Sequence, residues 1–406
     1  MPLTSPRIVA LILAMAVSLP LQAAEWSAEP KLSLRTGYND NIRMTRLPHD
    51  SVWETSLVPS VKFGVAKENQ GLFGNADVLV RRFSGGNDRE SSNILDREDA
   101  HLEVNAYHKT ERDKFAANLN LTRDSTLDSE LDETGNVIED RATRLRKSIS
   151  PSWTRSLTEK TRLDLGYTFT TVDYSDEIGP DNLIDYDYDV FSATLARQMT
   201  PRIQGILSAS YSRYQPETIC DSDSDTLSLQ AGISRTFSET LSASFLAGRR
   251  ETTSDTSLLT TTGCIVSEVE NTGAVYSASL AKVLETGKLS ASLSRVSTPN
   301  GRGGLLDTTS LVLLGEHKFA ETLRSSLKIE FFDRERIVTS SGGTSQDDRQ
   351  FFRVTPRLAW SWRREWELAG EYQYAEDERD SSSETATRDA VYVTLSYRPA
   401  KIFVSR

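Results

Sequence analysis

The sequence predicts an all-β chain: a single transmembrane antiparallel up-and-down β-barrel of about eighteen strands (sixteen to eighteen), with short periplasmic turns and long extracellular loops. Three observations carry this expectation. Apolar and polar residues alternate through one segment after another, the links between segments are short and long by turns, and the chain opens on an export signal.

The export signal comes first. Within residues 1–24 Arg7 is the only charge, and it precedes the apolar run Ile8 to Leu19. Pro20 ends that run, and Ala23 or Ala24 supplies a small residue for cleavage. A core this short, with nothing behind it to stop transfer, reads as a secretory signal peptide rather than an anchor. Residues 25–406 then form one exported domain, the barrel of the cell outer membrane.

Composition narrows the alternatives. The 406 residues carry Lys+Arg 47 against Asp+Glu 58, a net charge of −11. After the signal no apolar run approaches the ~20 residues a spanning helix needs, which excludes a polytopic helical membrane protein. An acidic chain without a Lys/Arg cluster argues against nucleic acid as a partner. Tyr 13, Phe 14 and Trp 6 are spread evenly, which argues against disorder.

Eighteen segments follow in order, near 31–42, 52–66, 71–83, 99–109, 113–124, 142–154, 160–173, 187–199, 202–214, 225–237, 240–251, 272–284, 287–297, 307–319, 322–333, 350–362, 365–376 and 388–398. In the fifth, Phe115, Ala117, Leu119 and Leu121 alternate with Asn118 and Asn120. In the seventh, Leu163, Leu165, Tyr167 and Phe169 alternate with Asp164, Gly166, Thr168 and Thr170. The tenth sets Leu227, Leu229, Ala231 and Ile233 against Ser228, Gln230, Gly232 and Ser234. In the thirteenth, Leu289, Ala291 and Leu293 face away from Ser290, Ser292 and Ser294. A period of two is a strand with one apolar face.

The links supply the topology. Lys67–Gln70, Ser156–Glu159, Met199–Pro201, Ser238–Thr240, Glu285-Thr286 and Ala320-Glu321 are tight, whereas Ser84–Glu98, Ser125–Arg141, Tyr174–Asp185 and Thr252–Asn271 are long and polar. In lipid every backbone polar group must pair internally, so strands span only as a closed sheet. A soluble sandwich array or propeller would carry linkers or a blade signature, and neither is evident.

The apolar face should meet lipid and the other face the lumen. Expected lumen-lining residues are Asn118, Asn120, Thr168, Thr170, Ser208, Ser210, Ser242, Ser244, Ser290 and Ser292. Small polar side chains leave room for water and can bond sugar hydroxyls; an unselective wetted wall would look the same. Arg82, Arg123, Arg213, Arg249 and Arg295 each follow the last apolar residue of the lipid-facing parity by two positions. They are candidates for contacting lipopolysaccharide phosphates, although solubilising charges at strand ends give the same pattern. Trp53, Trp153, Trp360, Trp362 and Trp366 fit an interfacial girdle on the periplasmic side. Pro59, Pro151 and Pro356 lie inside strands, and a closed barrel has no edge for them, so bulges are expected there.

No catalytic, cofactor or metal site emerges. His101 and His108 are seven residues apart on one strand and face opposite sides, and neither they nor His49 and His317 lie beside a recognisable nucleophile. Walker, dinucleotide and zinc spacings are missing. The carboxylates of residues 173–189, interleaved with Tyr174, Tyr186 and Tyr188, read as a solvated loop. Asp221, Asp223 and Asp225 lack the Gly and closing Glu of a calcium loop. Cys220 and Cys264, the only cysteines, fall in successive long links on one rim of an exported protein, so a disulfide between them is expected.

Gly37-Tyr38-Asn39-Asp40-Asn41-Ile42 resembles the opening motif of the β-barrel porin-2 family, and Leu395-Ser-Tyr397-Arg398-Pro399 to Arg406 resembles the endings of that family and of its exosortase-linked relatives. The resemblance covers the barrel in architecture but only these ends in motif, and the chain departs from general barrels in ending on Arg406 rather than an aromatic. It implies no catalytic residue. It does imply association with exopolysaccharide genes, and hence passage or secretion of an extracellular polysaccharide.

The expected function is a porin-like transport channel, not an enzyme, that needs no cofactor. Its expected partners are outer-membrane lipid and lipopolysaccharide, a polysaccharide substrate and the barrel-assembly machinery. Two alternatives stay open: a structural or assembly-scaffold barrel plugged by its own loops, and an outer-membrane hydrolase.

Overall fold

The computed structural model describes residues 25–46, 51–85, 95–127, 141–178, 183–218, 220, 222–260, 263–337, 348–379 and 382–405. The signal segment expected over 1–24 lies outside them. Nineteen strands follow one another: β1 (Glu25–Asn39), β2 (Val52–Ala66), β3 (Gln70–Ser84), β4 (Arg97–Lys109), β5 (Asp113–Ser125), β6 (Arg141–Thr158), β7 (Thr161–Ile178), β8 (Tyr186–Thr200), β9 (Ile203–Pro216), β10 (Ser224–Ser238), β11 (Leu241–Thr260), β12 (Gly263–Leu284), β13 (Gly287–Pro299), β14 (Leu305–Lys318), β15 (Leu323–Arg336), β16 (Arg349–Trp360), β17 (Trp366–Arg379), β18 (Ser382–Tyr397) and β19 (Ile402–Ser405).

Each strand from β1 to β18 pairs antiparallel with its neighbours in sequence. The ring closes where β1 pairs with β2 on one side and with β18 on the other: Leu34 lies opposite both Leu57 and Leu395. The result is an up-and-down barrel of eighteen strands with no free edge, which satisfies the backbone as a lipid environment requires.

β19 is the continuation of the last strand. Leu32 pairs with Tyr397, but Ala28 pairs with Ile402, so the C-terminal side carries one extra residue between those two rungs. Pro399 and Pro30, neither with an N–H to give, fall in this interval. A 2.8 Å ion pair between Lys401 and Glu29 bridges it.

Residues directly opposite in an antiparallel ladder share a face, so orientation propagates around the ring from any one strand. On β10, Leu227, Leu229 and Ile233 are exposed, as are their outward neighbours Tyr211, Leu207 and Phe245. This apolar outer belt is what a lipid-facing barrel wall presents. No helix among the described residues is long and apolar enough to cross a membrane.

Three expectations need correction. Pro59, Pro151 and Pro356 produce no bulge: the β2–β3, β6–β7 and β16–β17 ladders skip two residues at each proline and resume in the same register. On their other side the prolines still sit opposite Leu32, Ala117 and Leu327. A missing N–H costs one rung and does not force an extra residue. Residues 252–271 are not a loop, because β11 and β12 run on as a hairpin to Thr260 and Gly263. Likewise, within 173–189, residues 173–178 and 186–189 are strand, the end of β7 and the start of β8. There Asp185 Oδ1 accepts the Tyr174 N–H at 2.7 Å, Asp187 accepts the Thr171 hydroxyl at 2.6 Å, and Asp189 accepts the Tyr167 hydroxyl.

Candidate functional site: the lumen and its inward loops

The barrel interior has two unlike walls. From β8 to β13 the inward residues are mainly small and hydroxylic. Ser208 and Ser210 lie opposite Thr194 and Ser192 on one side and Gln230 and Ser228 on the other. Ser242 and Ser244 face inward opposite Ala281 and Ser279, which in turn lie opposite Ser290 and Ser292. Neighbouring hydroxyls bond one another across strands: Thr194 to Ser208 at 3.1 Å, Ser244 to Ser279 at 2.7 Å and Ser294 to Ser310 at 2.8 Å. A hydroxyl that donates to its neighbour keeps acceptor capacity for a solute.

Asn118, Asn120, Thr168 and Thr170 also point inward, but on the other wall. Asn118 Nδ2 donates to Asn105 at 2.9 Å and to Glu103 at 3.3 Å, Thr168 donates to Ser150 at 3.0 Å, and Thr170 is buried. This wall, from β15 through β18 and on to β7, is charged. Arg353 donates to Glu330 at 2.7 Å, Arg35 to Glu371 at 2.9 Å, and Arg144 to Asp124 at 3.3 Å. His101, on the same face, lies 2.9 Å from Asp77. Sequence reading missed these side chains because an Arg or Glu on a strand looks like a solubilising charge. The available signal was parity: Arg349, Arg353 and Arg357 recur at even spacing opposite the apolar Phe352, Val354 and Leu358.

At the long-loop rim two connections fold into the lumen. The first follows β1. Asn39 Oδ1 accepts the Asn41 N–H at 3.0 Å and begins the turn. Asp40 clasps Asp389 twice, donating its N–H to the Asp389 carbonyl at 3.1 Å and accepting the Asp389 N–H at 2.7 Å. Asn41, fully buried, donates to the carbonyls of Thr45 and Thr387 and accepts the Thr45 N–H. Met44 adopts a left-handed backbone, φ 54°. Its side chain packs against Phe332, Phe351 and Ala375 on the inner faces of β15–β17. Ile42 enters a second apolar cluster with Val52, Phe83, Leu95 and Leu127.

Gly37 makes room for this arrangement. A Cβ there would fall 2.3 Å from the Tyr392 ring, which covers the glycine while Arg35 stacks on it 3.7 Å from the centroid. The motif Gly37–Ile42 is therefore a device that turns the chain inward at the closing seam.

The second inward connection joins β13 to β14. Asn300 Oδ1 accepts the N–H groups of Arg302 and Gly304, which rounds the loop. Its carbonyl accepts the Tyr214 hydroxyl at 3.2 Å, and the Gly301 carbonyl accepts the Ile184 N–H at 2.8 Å. Tyr214 belongs to β9, four strands away, so this loop reaches across the mouth. Leu305 and Ile337 bury themselves there with Val172, Tyr186 and Tyr214. The long-loop mouth is thus narrowed from two sides, while the short-turn mouth is not crossed by any described loop.

The outward arginines differ from one another. Arg82 pairs with Glu98 at 3.1 Å, Arg123 donates to the Glu98 carbonyl at 2.9 Å, Arg213 pairs with Asp223 and Arg295 with Glu335. Arg249 is exposed, and no carboxylate pairs with it among the described residues. Trp153 and the contiguous set of rings Trp360, Trp362, Trp366 and Tyr397 sit at the short-turn rim. Trp53 does not join them: it packs on Tyr38, 5.5 Å away, at the long-loop rim. Strand direction explains this, since Trp53 starts its strand while the others end or begin theirs at the opposite rim. Cys220 is buried and disulfide-bonded; the side chain of Cys264 lies outside the described residues.

No protein-family model matches the chain, and no curated relative matches it. Among solved structures it is similar to the outer membrane protein OpdK from Pseudomonas aeruginosa, at 12% identity and TM-score 0.45, covering 93% of this chain and 99% of that one. It is also similar to OccK3 (OpdO) of the same organism, at 12% identity and TM-score 0.45, covering 93% and 96%. Acinetobacter baumannii OccAB3 aligns at 10% identity and TM-score 0.42, covering 93% and 99%. At this level the likeness says nothing about a solute.

Proposed function

We propose that this chain is a porin-like channel of the bacterial outer membrane that passes a polyhydroxylated solute, an extracellular polysaccharide or its fragments. The observation that carries the reading is the hydroxyl wall of β8–β13, from Thr194 and Ser208 to Ser294, which bonds Ser310 of β14. Inside a closed sheet with an apolar exterior, such a wall keeps a file of water and offers exchangeable hydrogen bonds, and its inward cations Arg250 and Lys288 are each held by a carboxylate, Asp307 and Glu316. Short turns then lie in the periplasm and long loops outside, and the barrel enters the membrane through the assembly machinery. Lipopolysaccharide surrounds its outer rim. The resemblance of Gly37–Ile42 to the β-barrel porin-2 opening supports the polysaccharide part of the reading.

Single-channel recording of the refolded chain in a planar bilayer tests it. Open steps that neutral oligosaccharides such as maltoheptaose block in a concentration-dependent way are the expected result. A folded barrel that never conducts would overturn the channel.

A second reading, a barrel closed by its own loops, is favoured by the seats of Met44 and Asn300 in the long-loop mouth. It differs from the first in one respect: conductance would rise only when those loops are released.

A further inference from the structure

The short-turn mouth carries a side-chain arrangement that the channel reading leaves unused. Glu367, at the start of β17, has only 8% of its side chain exposed and receives three guanidinium groups. Arg324 of β15 approaches at 3.5 Å, Arg357 of β16 at 3.3 Å and Arg398, just after β18, at 3.4 Å. All three face the lumen, and they stay 47%, 37% and 48% exposed.

One carboxylate cannot neutralise or saturate this set. It offers about four acceptor positions, whereas each guanidinium presents five N–H donors. The contacts are also at the long end of the hydrogen-bond range, so the three arginines surround Glu367 rather than clamp it. Three other carboxylates, on β1, β15 and β17, give no relief, because each already has a cation. Glu371 holds Arg35, Glu330 holds Arg353 and Lys328, and Glu29 holds Lys401. Lys31 adds a further positive charge within electrostatic reach of Arg357 and Arg398. The surplus is local and not compositional, since the chain as a whole is at −11.

We infer that Arg324, Arg357 and Arg398, gathered by Glu367, form an anion-binding site for the carboxylate of an acidic sugar at the short-turn mouth. Three planar guanidiniums, on β15, on β16 and just after β18, suit a planar carboxylate, and the buried Glu367 fixes their spacing when the site is empty. The inference deepens the polyhydroxylated-solute reading and rests on it: a uronate-bearing chain would meet the arginines with its charge and the serine wall with its hydroxyls.

Equilibrium binding separates this claim from conduction. Trigalacturonate and maltotriose are titrated calorimetrically into the refolded full chain in detergent, at low and high salt. Trigalacturonate should bind at least tenfold tighter than maltotriose, with the advantage fading at high salt. In R324Q/R357Q/R398Q it should fall to the level of maltotriose. Should that variant fail to fold, R398Q alone serves, since Arg398 lies outside the β18 ladder; a loss of about threefold or more is then expected. Equal binding of the two sugars by the wild type, or unchanged acidic-sugar binding in a folded variant, would overturn the site. A barrel silent in the bilayer that still prefers trigalacturonate would sink the channel and leave this site standing.

Discussion

Asn41 and Thr387, 346 residues apart in sequence, are joined by a 2.8 Å hydrogen bond from the Asn41 carboxamide to the Thr387 carbonyl oxygen. The loop that leaves the first strand is thereby fastened to the last strand, across the seam where the barrel closes. Met44, three residues on from Asn41, is inserted among Phe332, Phe351 and Ala375 on the lumen wall. Two distant parts of the chain meet to build one constriction.

Replacing Asn41 with Ala removes the donors to Thr45 and Thr387 and the acceptor for the Thr45 N–H. Each buried group left unpaired costs about 1–3 kcal/mol, and Met44 in its left-handed backbone adds local strain to be relieved. The loop should come free while the barrel stays folded. Single-channel conductance is expected to rise in N41A and in M44S. If limited proteolysis shows the loop released and conductance is unchanged, the loop lies outside the conduction path.

Arg250 is buried and donates to both oxygens of Asp307, to Thr252 and to Asn271. The guanidinium lies over Gly273, where a Cβ would come within 3.0 Å of it. Removing one member of such a pair costs about 3–5 kcal/mol because the other charge stays buried. We expect R250M to lower resistance to urea unfolding by that amount and R250M/D307L to recover most of it. G273V should weaken the barrel through the same contact. A double variant no better than R250M would show that the charge pair is not the source of the cost.

The proposed Cys220–Cys264 bridge predicts no reactive thiol in the unreduced, denatured chain and two after reduction. Closing the intervening stretch should contribute about 3–4 kcal/mol, so C220S/C264S should unfold earlier than the wild type without losing its barrel. Two thiols titrating before reduction would refute the pairing.

Among the outward arginines, Arg249 has no carboxylate partner among the described residues, whereas Arg213 is held by Asp223. If this rim meets lipopolysaccharide phosphates, R249A should reduce the thermal stabilisation gained on adding lipopolysaccharide by more than R213A does. Equal small effects would assign the ring to solubility.

Much of the architecture was legible in the residue order. The tight link Ser238–Thr240 and the period-two run Leu227 to Ser234 locate β10 and its turn, because strand alternation and turn length are properties of a few neighbouring residues. The limits of such reading show at Pro59, where an expected bulge is only a skipped rung, and at 252–271, where an expected loop is a hairpin. In both cases the partner strand decides, by supplying or withholding a rung.

The sequence by itself determined an exported-looking, apolar-outside, polar-inside barrel and the order and direction of its strands. Only the tertiary structure decided which polar residues gather into walls, that Met44 and Asn300 enter the mouth, and that three arginines converge on Glu367. The division follows from range. Alternation is written in adjacent residues, but Arg324, Arg357, Glu367 and Arg398 become neighbours only when separate strands pair in register and set their inward side chains level with one another.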